Sequence, residues 1–457
     1  MDGSLYAHTP PKDGSGPWHD LGAHLRGVAE RAAEFGDAFG AADVCRALGW
    51  VHDLGKADPR FQLYLRACHA GGKPETMPHA APSAAAARWL DPFTMLVVAH
   101  HAGLYDQAEA AAKLRDADPD AVRNAGSLVD ALGVPKARPA VPDWLQTDEL
   151  SLELFLRMCF SALTDADYLD TEAHLDRRKS GERAQYPAIA SYLSTLDAHL
   201  DKLARSSQPT VVNQARAEIL ASCRAAAEWE PGVYRLEVPT GGGKTLSSLA
   251  FALTHAQRNG LRRVIYAVPY TSIIDQTASV YADIFGEGAL LEHHSAYEPA
   301  EADEGQTEAE LRRKLAAENW DCPLIVTTTV QLFESLFARR TSRCRKLHRL
   351  AKSVIVLDEA QTLPPSLLGP ILDVLARLVE HYHCTVVFCT ATQPDYSALN
   401  QPVLTGARHL APEPARYFEM LRRVVYRRIE EPLSPEEVEE VAPVLRGLWS
   451  GAVERET

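Results

Sequence analysis

Cysteine is sparse and unpatterned in this chain. There are eight in 457 residues (Cys45, Cys68, Cys159, Cys223, Cys322, Cys344, Cys384 and Cys389), with no Cys-x-x-Cys pair among them. This excludes a zinc ribbon or a disulfide-stapled scaffold and points to a reducing cytoplasm. No apolar run is long enough to span a bilayer, and the N-terminus lacks a basic-then-apolar signal, so no membrane partner is expected. Positive charge is short as well: 47 Lys and Arg against 61 Asp and Glu give a net charge of −14. A uniformly basic nucleic-acid coat is thereby excluded, but a local basic stripe in a groove is not. Internal repeats and low-complexity tracts are missing. What remains is ordinary globular composition in a chain too long for one core, so two or three domains are expected.

The texture changes once along the chain. From about residue 18 to 205 the apolar spacing is helical, as in Leu21, Leu25, Val28 and Ala32, or Leu152, Phe155, Leu156, Cys159, Phe160 and Leu163. No strand pattern is evident there. Ser206-Ser207-Gln208-Pro209 reads as a linker. Beyond it, short β-branched runs alternate with helical segments: Val233–Val238, Val264–Val268, Leu324–Thr327, Val354–Leu357 and Thr385–Phe388. Continuous apolar runs joined by helices predict a parallel sheet buried on both faces. The expected architecture is multidomain: an all-α domain over 1–205, an α/β domain over 206–405, and a short tail over 406–457 with one helix, Pro435 to Leu448. The acidic stretch Glu298 to Glu310 reads as a solvated insertion.

After the run Val233–Val238 comes Pro239-Thr240-Gly241-Gly242-Gly243-Lys244-Thr245, then a helical pattern. Strand, glycine turn and helix in that order form a phosphate loop. Glycines admit backbone N–H groups to the phosphates, and the helix N-terminus favours negative charge. Lys244 reaches the β/γ-phosphates and the Thr245 hydroxyl ligates Mg²⁺ in such a loop. Val238 stands where the strict Gly-x-x-x-x-Gly-Lys-[Ser/Thr] pattern has its first glycine, and the Pro-Thr-Gly-x-Gly-Lys-Thr variant is a helicase form. Asp358 and Glu359 end the run Val354–Leu357, where Asp358 is expected to hold Mg²⁺ and Glu359 to orient and deprotonate an attacking water. Pro269-Tyr270-Thr271-Ser272, Thr327-Thr328-Thr329 and Thr390-Ala391-Thr392 also follow strands, where hydroxyls suit contacts to a single strand, although each alone also reads as a helix cap. Arg339 to Lys352 carries seven Lys or Arg and no acid, and reads equally as a nucleic-acid contact or a solvated helix face.

A second cluster lies in the helical part: His24, His52-Asp53, His79, His100-His101 and Asp167. His52-Asp53 closes one apolar helix with Gly55 as its stop, and His100-His101 closes another before Gly103. Imidazoles and carboxylates at inner helix ends suit Fe, Mn, Ni, Co or Zn rather than Ca. Asp167 falls four residues after Leu163, on the buried stripe, whereas Asp165 projects elsewhere, so Asp167 is the expected closing carboxylate. These ligands are too many for one tetrahedral ion, so two are expected, clamping the attacking and leaving oxygens of a phosphodiester. Lys56 reads equally as a partner of the scissile phosphate or as a snorkelling side chain.

Together these motifs resemble the CRISPR-associated helicase–nuclease of type I systems, an N-terminal HD-type nuclease fused to a superfamily-2 DEAD/DEAH-like helicase. The resemblance runs from about Trp18 to Tyr426. It rests on His24, His52-Asp53-Leu54-Gly55-Lys56, His79, His100-His101, Ala166-Asp167-Tyr168-Leu169, the phosphate loop, Asp358-Glu359-Ala360-Gln361 and Thr390-Ala391-Thr392. It implies a RecA-like second domain, two divalent transition-metal ions (Fe, Mn, Ni or Co) in the HD site, and ATP with Mg²⁺ in the helicase site. Gln214, in Asn213-Gln214-Ala215-Arg216, sits where members carry an adenine-reading element. Single-stranded DNA and a Cascade-type guide-RNA surveillance complex are the implied partners, with nicking followed by ATP-driven 3′-to-5′ degradation. No Gln-x-x-Gly-Arg-x-x-Arg element follows Thr392, so residues 406–457 are expected to be only the start of a second helicase lobe, with ATP hydrolysis impaired. Two other readings stand beside this one: an HD-type nucleotide phosphohydrolase with a regulatory ATP site, and a non-catalytic DNA- or Cascade-binding module.

Overall fold

The structure is a computed structural model that describes residues 4–14, 16–146, 148–294, 307–391 and 406–422. A two-stranded antiparallel ribbon comes first, β1 (Tyr6–His8) with β2 (His19–Asp20). It corrects the expectation of a strand-free helical part: the pattern is too short to register, and the ribbon is held by side chains from other elements. Helices follow: α1 (Leu21–Asp37), α2 (Ala42–Val51), α3 (Pro59–His69), α4 (Ala80–Ala86), α5 (Thr94–Ala99), α6 (Gln107–Arg115), α7 (Pro119–Leu132), α8 (Glu149–Leu175) and α9 (Arg177–Gly181). α1 and α2 pack so closely that a Cβ on Gly49 would lie 2.4 Å from Ala29 Cα. The long α8 runs to Leu175, well past the apolar stripe that ends at Leu163, so its polar half carries Asp165, Asp167 and Asp170 while still helical.

The second part opens with α10 (Ile189–Ser206) and α11 (Val211–Ala226), then alternates: β3 (Val233–Glu237), α12 (Lys244–Asn259), β4 (Arg263–Val268), α13 (Thr271–Phe285), β5 (Leu291–His293), α14 (Glu308–Asn319), β6 (Leu324–Thr328), α15 (Thr329–Phe337), α16 (Thr341–Cys344), β7 (Ser353–Leu357), α17 (Leu368–His381), β8 (Thr385–Thr390), β9 (Arg408–His409) and α18 (Pro414–Met420). The sheet has seven strands in the order β5-β6-β4-β7-β8-β3-β9, paired in parallel throughout. Successive side chains alternate between its faces. Val264, Tyr266 and Val268 of β4 join one core with α10–α13, while Ile265 and Ala267 join a second core. That second core is continuous with the helical part through Phe155, Leu163 and Leu347, so both faces of the sheet are buried and one of them is shared.

α10 lies on the sheet side of the molecule, since Ile189, Tyr192, Leu196 and Leu200 pack in the core of α11 and α12 rather than with the preceding helices. The segment Ser206–Pro209 therefore joins two helices of the same layer. Among the described residues no helix is long and apolar enough to cross a membrane. Thr392, Pro435–Leu448 and most of the acidic stretch after Glu298 lie outside the described residues; its last part, Glu308–Glu310, opens α14 under a Thr307 capping box.

Candidate metal centre and nucleotide site

Four imidazoles are turned inward by bonds at their far nitrogens. His52 follows α2 and its Nδ1 meets the Gly49 carbonyl at 2.8 Å; His100 follows α5 and its Nδ1 meets the Val97 carbonyl at 2.6 Å. Both are the bond a residue just past a helix makes to the carbonyl three back. On α1, His24 Nδ1 meets Asp170 Oδ2 of α8 at 2.7 Å, and His79 Nδ1 sits 3.4 Å from the Met77 carbonyl. An acceptor on Nδ1 fixes the proton there and leaves the Nε2 lone pair facing the interior.

The inward nitrogens converge on Asp53, which is fully buried. Asp53 Oδ2 lies 3.3 Å from His24 Nε2 and 3.4 Å from His52 Nε2, while Oδ1 lies 3.1 Å from His79 Nε2 and 3.3 Å from His100 Nε2. Asp167 Oδ1 closes the first side, 3.5 Å from His24 and 3.6 Å from His52. His101 closes the second, its Nε2 2.8 Å from His79 Nε2. One carboxylate thus sits between two donor sets, with Asp167, His24 and His52 on one oxygen and His79, His100 and His101 toward the other. All seven expected metal residues are brought together. Asp53 Oδ1 and His100 Nε2 are buried without a hydrogen-bond partner among the described residues. Buried ligand atoms that face one another without a formed hydrogen bond are costly unless a cation meets them, and N/O donors of this kind suit a divalent transition metal.

Charges are strongly perturbed here. Burial opposes charge on His24, yet its bonds to Asp170 and Asp53 hold its pKa up at about 9. Burial favours a neutral Asp53, but Lys56 and the imidazoles hold it well below the ordinary carboxylate range. Asp167 is likewise held down by His52 against burial. Lys56 does not snorkel. Its Nζ is buried, 2.6 Å from Asp53 Oδ2, and donates to the Ala7 carbonyl at 3.2 Å, so its charge is already engaged inside the pocket.

Gly55 does not stop a helix by a left-handed turn. It sits in a 3-10 turn, Leu54–Ala57, where a Cβ would lie 2.2 Å from the His79 carbonyl, so glycine there lets the His79 segment approach. Gly103 has φ +98°, as a chain reversal after His101 requires. Asp170, His8, His19 and His174 were not anticipated as part of the site. Asp170 falls three residues after Asp167 on one helix, the spacing that places both on one face. His19 lies 3.5 Å from Asp170 and stacks on His174 with centroids 4.3 Å apart, a second layer behind His24.

The nucleotide residues gather at the carboxyl ends of β3 and β7, which flank β8. Gly241 and Gly243 adopt φ +87° and +84°, and a Cβ on Gly242 would meet Val238 Cγ1 at 2.4 Å, so the loop accepts only glycine at these positions. Lys244 opens α12, its Nζ 2.8 Å from Asp358 Oδ1 and bonded also to Glu359. Both carboxylates hold the Lys244 pKa up against burial. Asp358 also accepts from the Tyr266 hydroxyl at 3.2 Å. Gln361 bridges Glu359 to Thr390 at 2.6 Å on each side, tying the end of β7 to the end of β8. Thr240 is exposed beside the loop and Thr245 lies in the first turn of α12. Gln214 is placed at the rim of a cavity of about 590 Å³ that also touches Gly243 and Leu246, with its amide on Glu218 at 3.1 Å. Arg216 donates to the Gly241 carbonyl at 2.8 Å.

The basic stretch Arg339–Lys352 is divided: Arg339, Arg340 and Arg343 are exposed, and Arg345 to Arg349 turn inward. Arg345, Lys346 and His348 are buried against α8: Arg345 Nε donates to Asp165 at 2.9 Å, and the Ser161 hydroxyl meets His348 Nδ1 at 2.9 Å. The charge of Arg345 and Arg349 is spent on Asp165 in joining the two parts, while Arg339, Arg340 and Arg343 stay exposed, a division the composition of the stretch could not reveal.

The DEAD/DEAH box helicase family matches residues 214–399. That stretch, from α11 to just past β8, is similar to a helicase domain of that type. Over 94% of its length it is 28% identical to the CRISPR-associated nuclease/helicase Cas3 of Haloferax volcanii, of which it covers 57%. The crystal structure of T. fusca Cas3 with ATP has a TM-score of 0.56 at 19% identity, covering 94% of this chain and 54% of that one. A structure described as a CRISPR RNA-guided surveillance complex, pre-nicking, gives 0.51 at 17% identity, covering 94% and 51%. The fold is therefore shared with T. fusca Cas3, and the chain spans a little over half the length of these relatives.

Proposed function

We propose that the helical part is an HD-type, metal-dependent nuclease acting on single-stranded DNA, coupled to the ATP-dependent 3′-to-5′ helicase activity of the second part. His24, His52, Asp53 and Asp167 would hold one divalent cation and Asp53, His79, His100 and His101 another, with Fe, Mn, Ni or Co as the matching ions. Such a pair, when bound, stabilises the attacking and leaving oxygens of a phosphodiester displacement. The chain's own contribution is to turn four imidazoles inward and to keep Asp53 and Asp167 ionised. Lys56 pins Asp53 and the β1 backbone together. In the helicase site, Gly241–Gly243 and Lys244 cradle the ATP phosphates, Thr245 and Asp358 hold Mg²⁺, and Glu359 orients and deprotonates water. Gln214 reads the adenine at the cavity edge. By the likeness to Cas3, recruitment by a Cascade-type guide-RNA complex delivers the DNA strand.

The reading is carried by one observation: a fully buried aspartate between two sets of inward-facing imidazole nitrogens. The test is cleavage of circular single-stranded DNA with Mn²⁺, run beside hydrolysis of dNTPs, on the wild-type chain, His52→Ala and Asp53→Ala, with metal content measured on each. Consumption of the circle by the wild type and not by the variants supports the proposal. Consumption of dNTPs alone would replace it with a nucleotidase, and inactivity with every transition metal would leave a binding module.

A further inference from the structure

One more imidazole stands at the rim of the cluster. His8 offers a nitrogen that lies with ligand atoms of His24, Asp53 and Asp167 in a group whose members are all within 4.8 Å of one another. Its ring meets that of His24 edge to face, centroids 5.0 Å apart. A strand of three residues does not hold such a position by itself. It is held by side chains from elsewhere. Gln62 of α3 accepts from the Tyr6 N–H at 3.0 Å and donates to the Tyr6 carbonyl at 2.9 Å. Lys56 donates to the Ala7 carbonyl at 3.2 Å, and the Thr171 hydroxyl of α8 meets His8 Nε2 at 3.2 Å. Gln62 and Lys56 are 8% and 3% exposed. Burying an amide and an ammonium is costly, and here both fix the backbone of the two residues just before His8 while Thr171 meets its ring, so the place of that side chain is specified.

We infer that His8 is a further protein ligand of the cation held by His24, His52, Asp53 and Asp167, an inference that rests on the two-cation reading above. The consequence concerns the choice of ion. A fifth protein donor exceeds the four that a tetrahedral zinc site takes, and favours ions that accept five or six ligands. The two positions are then unequal: the one at Asp167 has five protein donors, and the one at His101 has four and an exposed side.

Titration of the metal-free full chain with Co²⁺, followed by its visible absorption, and with Mn²⁺ by calorimetry, tests this without recourse to activity. In His8→Ala one of the two ions should weaken by at least about tenfold while the other is unchanged. The Co²⁺ spectrum should gain intensity as its coordination number falls, and added imidazole should reverse the change. His8→Gln, which keeps the bulk and can still bond Thr171, should show the same spectral change and serves if the alanine variant does not fold. Wild-type affinity for both ions with an unaltered spectrum overturns the assignment. So does an equal loss of both ions that imidazole does not relieve, which would mean only that β1 had shifted. A wild-type chain that binds no Co²⁺ sinks the two-cation reading itself, a distinguishable outcome.

Discussion

The two sites of this molecule solve opposite problems with charge. At the histidine cluster the ligand atoms are aimed at one another: Asp53 Oδ1 and His100 Nε2 are buried 3.3 Å apart without a formed hydrogen bond among the described residues. At the nucleotide site the charges cancel, with Lys244 closed onto both Asp358 and Glu359. The first, under the proposed reading, is preorganised for cations. The second is self-satisfied, and binding ATP and Mg²⁺ must exchange its internal pairs for new ones. A cluster of unpartnered donors therefore signals its ligand in the empty protein, whereas a phosphate loop signals it mainly through glycine geometry.

The sharpest way to break this comparison is to remove the shared carboxylate. Asp53→Ala should abolish binding of both ions and lower nuclease turnover by well over about a hundredfold, beyond the loss from removing an outer partner. Equilibrium dialysis with Mn²⁺ beside the circle assay checks it, and retention of either ion would show that the two donor sets are independent. Asp165 supplies the contrast on the same helix. Burial pushes its carboxyl upward against the pull of Arg345 and Arg349, and its removal leaves the buried Arg345 with Glu318 alone. Asp165→Ala should destabilise the chain by about 3–5 kcal/mol in urea unfolding, with metal affinity intact; Asp167→Ala should do the reverse.

Smaller effects follow from the outer layer. Asp170→Asn keeps the shape but weakens the hold on His24 Nδ1, and should cost about 10- to 100-fold in affinity for one ion. Affinity should also depend on pH with a definite sign. His24 in the metal-free chain stays protonated below about 9, so an entering ion displaces that proton. Apparent affinity should then rise about tenfold per pH unit from 7 and level off above about 9, measured by competition with a chelator. A flat profile would mean that His24 is already neutral. The smallest expected effect is on the far site. Lys244→Ala should eliminate ATP binding yet leave metal-dependent nicking of free single strands unchanged.

Much of this was legible in the sequence where the chemistry is local. The phosphate loop could be read because strand, glycines and helix are contiguous, and the sheet because runs such as Val354–Leu357 are apolar on both faces. His24, His52, Asp53, His79, His100, His101 and Asp167 were legible as a set because each lies at a helix end or on an apolar stripe. What pairs across long separations was not. Arg345 meets Asp165 across 180 residues and Lys56 meets Ala7 across 49, and no local spacing encodes either contact. The ribbon of β1 and β2 was missed for the same reason, being fastened by Gln62 and Lys56 rather than by its own propensity. The basic stretch misled because composition cannot tell a charge that faces water from one already met by a buried carboxylate.

The polar half of α8 has a mechanical consequence. Asp165 and Asp167 are two positions apart, so they leave the helix about 200° from each other around its axis. One is clasped by Arg345 of the sheet domain, and the other closes the histidine pocket. A straight hydrogen-bonded rod between two clamps has little compliance along its length. Under the proposed reading, any displacement of Arg345 in the sheet part would be felt at Asp167 through this one helix.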